Sequence, residues 1–219
     1  MMEGTPERIT STFINLGVTF FEKGHVDKAA LAFSDALSMS KHIFESHVDV
    51  VMCDDNDMSD DQSGPFEPQF GKCEKIIPTA NDISIFLNPI KIPMKLPKTK
   101  LRSTLSLIAV FNLAICNHKD AIMRQMDRTR LRRALQLYEL AYAIQMQEGI
   151  DMTLTPTMII MSNVGHIHKI MGNNDNAMQC FQHLLSTLMF LVEAGERDMV
   201  WEFDGFFENI LRTVFAHSP

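Results

Sequence analysis

The first candidate for chemistry is a group of metal-binding residue types near the C-terminal end of the sequence. Between 163 and 185 stand His166, His168, Cys180 and His183. Imidazole and thiolate are ligands that zinc and other transition metals prefer. However, His166 and His168 are two positions apart, so on a helix they lie about 200° apart around the axis and cannot bind one ion together. We therefore predict no metal site, and expect His168 and Cys180 to pack as core residues.

Other catalytic signatures are also missing from the sequence. It has no glycine-rich phosphate loop, no Gly-x-Ser-x-Gly elbow and no His-Glu-x-x-His. The cysteines are far apart and predict reduced thiols; they are Cys53, Cys73, Cys116 and Cys180. The acidic stretch near Asp55 fails as a calcium loop, because a loop starting there has Asp60 where glycine is required. The sequence predicts a protein that is not an enzyme and has no cofactor.

Composition limits the class of protein and the class of partner. The chain has 219 residues, 46% of them hydrophobic, which is enough for a substantial core in a single domain over 1–219. Its net charge of −7 argues against nucleic acid as a partner. No apolar run is long enough for a leader peptide or a membrane span, so we expect no membrane partner and a cytoplasmic or nuclear location.

Small and aromatic residues recur along the chain at fixed offsets. Gly17, Ala29 and Phe33 near the N-terminus match Gly165, Ala177 and Phe181. A third copy, with eight extra residues in its middle, contains Leu113, Ala114, Ala134, Tyr138 and Ala141. Small residues let two helices approach closely, and an aromatic ring fills the space beside them. The pattern predicts an all-α protein built from helical hairpins that stack on one another.

This pattern resembles the tetratricopeptide repeat. The N-terminal copy matches it best, at Phe13, Leu16, Gly17, Phe20, Ala29, Phe33 and Ala36. The resemblance implies a solenoid with repeat 1 over 8–43, a long repeat 2 over 101–149, repeat 3 over 156–194 and a capping helix over 199–216. Asn117 and His168 stand where the family usually has an aromatic residue. An alternative for Phe206 and Phe207 in the cap is a docking patch for a partner or a second copy.

Residues 44–100 do not fit the repeat and are predicted to be an insertion. Residues 44–71 contain eight acidic residues and no lysine or arginine, which predicts disorder over about 50–72. The following part is rich in lysine and contains Pro89, Pro93 and Pro97, which exclude a helix. We expect an extended segment laid over the helices there, with a short strand at 83–87 as one option.

The resemblance also implies a concave groove that binds an extended peptide. In the family, an asparagine one place before the Leu-Gly pair often faces the peptide, and the corresponding residues here are Asn15, Asn112 and Asn163. An amide can donate and accept, so a row of amides can satisfy a peptide backbone whatever its side chains. Alternatively, these asparagines bond between helices and only brace the fold.

The resemblance places further polar residues toward the groove: His118, Lys119, His166 and Lys169. Arginines follow on the next helix, at Arg124, Arg128, Arg130, Arg132 and Arg133. This basic character predicts a protein or peptide partner that is acidic, unless the charges form only a solvated face. The acidic residues 44–71 are an intramolecular candidate for the groove. The sequence thus predicts a scaffold or adaptor, distantly similar to kinesin light chain repeats. The alternative is a module that self-assembles through its cap or ends.

Overall fold

The protein is all-α in the part of the chain that the structure describes. A computed structural model describes residues 5–47, 85–92, 101–148, 154–194 and 204–211. The helices are α1 (Pro6–Glu22), α2 (Val26–His47), α3 (Leu101–Met123), α4 (Arg128–Glu148), α5 (Leu154–Met171), α6 (Asn174–Glu193) and the short α7 (Asp204–Ile210). None of them is both long enough and apolar enough to cross a lipid bilayer.

Six of the helices pair into three hairpins, and glycine ends the first helix of two of them. Gly24 and Gly172 both have positive φ, 79° and 84°, a conformation that side chains disfavour. The amide of His25 then donates to Phe20 O, and that of Asn173 donates to His168 O, each at 2.9 Å. These bonds satisfy carbonyl groups at the helix end. The predicted hairpin turns are therefore present, for the reason that glycine tolerates left-handed backbone.

The middle hairpin turns without glycine. Gln125 and Met126 take positive φ angles of 57° and 65°, and the amide of Met126 donates to Ala121 O at 2.8 Å. Asp127 Oδ1 then accepts from the backbone N–H of Thr129 at 2.8 Å, which caps the start of α4. The turn between α3 and α4 thus ends at an aspartate cap.

Close contacts between helices explain the recurring glycines. A Cβ atom on Gly17 would lie 2.5 Å from Phe33 Cε1, and one on Gly165 would lie 2.9 Å from Phe181 Cζ. Both phenylalanines are fully buried. The ring on the second helix of each hairpin therefore packs directly on the backbone of the first helix, as the spacing predicted.

Replacing Gly17 by alanine should lower the free energy of unfolding by about 1–3 kcal/mol, because the Phe33 ring must move to admit the methyl group. Helix propensity alone would favour alanine by about 1 kcal/mol. Urea denaturation measures the difference, with Thr12→Ala on the exposed side of α1 as the control. The double variant Gly17→Ala, Phe33→Leu should recover part of the loss. A Gly17→Ala protein more stable than wild type would contradict the close packing.

Residues 85–92 are described within the predicted insertion, and we call them the arm. The arm is not helical, as the prolines predicted. The insertion begins later than expected, because α2 continues to His47 rather than ending at 43. Residues 48–84, which include most of the acidic segment and the first part of the optional strand at 83–87, lie outside the described residues. The same holds for most of the predicted cap, of which α7 is the described part.

Candidate functional site

Three asparagines bind the backbone of the arm, one from each hairpin. Asn163 Oδ1 accepts from Phe86 N at 3.1 Å, and its Nδ2 donates to Phe86 O at 2.7 Å. Asn112 makes the same pair of bonds with Ile90, at 2.7 and 2.9 Å. Asn15 makes them with Ile92, at 3.0 and 3.2 Å. Each amide therefore satisfies both the N–H and the C=O of one arm residue.

The positions of these contacts show that the arm is stretched across the first helices of the hairpins. It contacts α5 at Phe86, α3 at Ile90 and α1 at Ile92, so it runs opposite to the order of the helices. At these three positions the main chain of the arm faces the amides.

Most side chains of the arm are buried. Ile85, Phe86, Leu87, Ile90 and Ile92 are each 6% exposed or less. Burial of a large apolar side chain contributes about 1.5–3 kcal/mol. The arm therefore belongs to the hydrophobic core and does not lie loosely on the surface.

The two ends of the arm differ in how they are covered. At one end, the ring of Phe86 stacks on Phe206 of α7, with ring centroids 4.0 Å apart. At the other end, Lys91 is exposed and its Nζ lies 3.1 Å from Glu22 Oε1 on α1. Phe206 is fully buried, so the alternative in which it forms an exposed docking patch is wrong. Phe207 does remain exposed.

A buried polar chain continues from Asn163 into the core. Asn163 Nδ2 also donates to Tyr138 Oη at 2.9 Å, and Tyr138 Oη lies 3.5 Å from His118 Nδ1. His118 Nε2 lies 3.2 Å from His166 Nδ1. Since Phe86 N–H fixes which amide atom is the acceptor, Asn163 must donate to Tyr138. One consistent arrangement follows, in which Tyr138 donates to His118 and His118 donates to His166, with both rings neutral.

Burial keeps these two rings neutral. Desolvation lowers the pKa of His118 well below 6.5, and the neighbouring His166 lowers it further. Desolvation also lowers the pKa of His166 to about 4, with a smaller contribution from the charge of Lys169. A proton on His166 Nδ1 would in addition remove the acceptor that His118 uses. At neutral pH the pair therefore adds no positive charge to the groove.

Stability should fall with acidification because of this pair. In the unfolded chain both rings take up protons below pH 6.5, whereas the buried rings do not, so stability is complete above pH 6.5 and decreases toward pH 4. The lowered pKa of His166 alone accounts for about 3 kcal/mol at pH 4. Urea denaturation from pH 7.5 to 4 measures this. His166→Gln should flatten the acid side of the profile by about that amount, and His183→Gln at an exposed site of α6 is the control. An unchanged profile in His166→Gln would contradict the assignment.

The cationic residues predicted for the groove have other contacts. Lys119 Nζ lies 4.2 Å from the ring centre of Phe21 on α1. Arg124 and Arg130 both form ion pairs with the buried Asp120. The other predicted arginines are exposed on α4: Arg128, Arg132 and Arg133. Lys169 is half-buried on α5. His118 and His166 are buried and bond to each other, and burial lowers the pKa of both, so they add no positive charge at neutral pH.

The residues first considered as metal ligands are not brought together. His168 is half-buried, and burial lowers its pKa. Cys180 is half-buried beside Gly165, and burial raises its pKa to about 11. Across the ranges that the structure describes, no group of three or more histidine, cysteine or acidic residues is placed to hold a metal ion.

Sequence reasoning missed two parts of the site. The sequence pattern predicts only that the Tyr138 ring fills space, whereas the Tyr138 hydroxyl links the Asn163 amide to the histidines. Phe86 and its stacking on Phe206 were not anticipated either. A polar chain between hairpins leaves no periodic signal, but the row of apolar residues around Pro89 did indicate a segment that could be buried.

Comparison with known proteins gives no assignment. No protein-family model matches the sequence, and no curated protein or solved structure matches it significantly.

Proposed function

We propose that this chain is a non-enzymatic protein-interaction scaffold that binds an extended segment of another protein in the groove formed by α1, α3 and α5. The observation that carries the proposal is the row of three amides, Asn15, Asn112 and Asn163, each in two-way contact with the main chain of the arm. These contacts are made with main-chain N–H and C=O groups, which extended peptides have whatever their side chains. The arm then acts as an intramolecular ligand that occupies the groove until a partner replaces it.

A tetratricopeptide-type solenoid is the architecture we propose for this scaffold. Its support is the close packing of Gly17 on Phe33 and of Gly165 on Phe181, which repeats the same contact in the first and third hairpins. Helix α3 packs against both α1 and α2, so consecutive hairpins lie side by side. In such a stack the first helices share one face, and the row of amides on that face follows from the repeat.

The chemistry of the groove favours binding over catalysis. The thiol of Cys116 is buried, and desolvation raises its pKa far above the physiological range, so it is not a ready nucleophile. Burial likewise raises the pKa of the Tyr138 hydroxyl, which already bonds to Asn163. These groups are better suited to holding the groove together than to transferring protons.

Selection from a random peptide library tests the proposed function. Peptides are selected on the full chain carrying Ile90→Ala, in which the arm competes less for the groove. In this background, Asn15→Ala should weaken their binding at least about tenfold, since Asn15 lies at the half-buried rim and its loss leaves the deeper amides intact. Asn117→Ala in the same background is the matched control, since the Asn117 amide donates to Leu113 O of its own helix. Equal binding to Ile90→Ala and to both double variants would place the binding surface elsewhere.

Self-assembly is a second candidate, favoured by exposed apolar side chains near the C-terminal end of the stack. Met189 and Phe190 on α6 are 55% and 62% exposed, and Leu211 after α7 is 57% exposed. Exposed apolar surface of this kind is typical of contact sites. Sedimentation over a wide concentration range tests this candidate, with Phe190→Ser as the comparison. A wild-type chain that stays monomeric throughout would exclude assembly through this end.

A further inference from the structure

We infer that the segment bound by the groove is neutral and apolar, that it repeats the pattern of the arm, and that it enters by displacing the arm. This inference rests on the proposed function and specifies the partner. The pattern is an aromatic or branched apolar residue at the position of Phe86, followed by branched residues four and six positions later, as at Ile90 and Ile92.

The occupant that the structure describes defines this chemistry. The three residues held by the amides are buried and apolar. The histidines next to Asn163 are neutral and bonded to each other. Arg124 and Arg130 are paired with Asp120. An acidic segment would therefore lose the hydration of its carboxylates among apolar and neutral groups, whereas an apolar segment would keep the main-chain bonds that the arm makes with the three asparagines.

The two ends of the arm indicate where displacement begins. At the Phe86 end, the ring is covered by Phe206 of α7. At the Ile92 end, the arm is held by the half-buried Asn15, and Lys91 contributes only an exposed ion pair with Glu22. Exposed ion pairs contribute little to stability. A partner segment would replace the arm from Ile92 toward Phe86 and would meet α7 last.

The covalent link between the arm and the helices determines how strongly a free peptide competes. A tethered ligand acts at an effective concentration near the millimolar range. A free segment of equal intrinsic affinity therefore binds wild type weakly. If a substitution weakens the binding of the arm to the groove by some factor, the affinity of the free segment rises by the same factor. A substitution at Ile90 weakens the arm and leaves the groove asparagines intact, so it separates competition by the arm from damage to the groove.

The experiment uses the full chain and a fluorescent synthetic peptide of residues 84–93, SIFLNPIKIP, with anisotropy as the readout. Ile90→Ala should bind this peptide at least about tenfold more tightly than wild type. The same peptide carrying Ile90→Asp should not bind, nor should a peptide of the acidic residues 54–63. Tryptic cleavage after Lys91 reports independently whether the arm has left the groove.

Each outcome supports or overturns the inference. Equal binding of the apolar peptide to wild type and Ile90→Ala, or preference for the acidic peptide, overturns it, and the second result leaves the proposed function standing. If neither peptide binds although trypsin shows the arm released, the proposed function fails as well. If Ile90→Ala does not fold alone, the apolar peptide added during refolding should restore helicity at 222 nm. Failure to restore it overturns the inference.

Discussion

Replacement of Ile90 by aspartate is expected to release the arm and to lower the free energy of unfolding by about 5 kcal/mol or more. Ile90 is 1% exposed, and its main chain is held by Asn112. A carboxylate there must either stay charged in an apolar site or take up a proton at neutral pH, and both cost several kcal/mol. The burial of the isoleucine side chain is lost in addition. Chemical denaturation at pH 7, followed by circular dichroism, measures the effect.

The neighbouring residue supplies the control for this prediction. Lys91→Asp introduces the same carboxylate one position away, on the exposed side of the arm beside Glu22. Its effect should stay within about 1 kcal/mol, because exposed charges interact weakly in water. Trypsin offers a second readout of unfolding. Because Lys91→Asp removes the cleavage site in the arm, cleavage is followed at other lysines of the chain. If Ile90→Asp and Lys91→Asp unfold at the same denaturant concentration, the arm is not part of the core.

Replacement of Asn112 by alanine should have the second large effect and lower the free energy of unfolding by about 3–5 kcal/mol. The Asn112 side chain is fully buried and bonds to both the N–H and the C=O of Ile90. Its removal leaves two buried main-chain groups without partners, and each such group costs about 1–3 kcal/mol. Native-state hydrogen exchange should show the local effect, since the bond to Asn112 Oδ1 should protect the Ile90 amide in wild type although it lies outside any helix.

Asn117→Ala on the same helix is the matched control for Asn112. The Asn117 amide donates to Leu113 O, four residues earlier, and the side chain is half-buried. Its removal should change stability by less than about 0.5 kcal/mol. Similar losses for Asn112→Ala and Asn117→Ala, or rapid exchange of the Ile90 amide in wild type, would show that Asn112 does not hold the arm.

The sequence alone determined the helical hairpins, because their signals are local. Gly24 and Gly172 mark turns that need positive φ, and the positions of Gly17 and Phe33 follow from the period of the helix. The prolines around the arm excluded a helix there. The equivalent asparagines could also be found, since the repeat places them at the same offset in each hairpin.

Only the tertiary structure decided what those asparagines contact. Their spacing in sequence is the same whether they brace helices or hold a peptide, and the arm lies 77 residues away from Asn15 and from Asn163. Charge counting favoured the acidic segment as occupant, but the buried contacts select the apolar arm, because buried main chain needs partners and apolar side chains need a core. The pairing of His118 with His166 was likewise undetermined by sequence, since it joins two hairpins through burial and contact rather than through any local pattern.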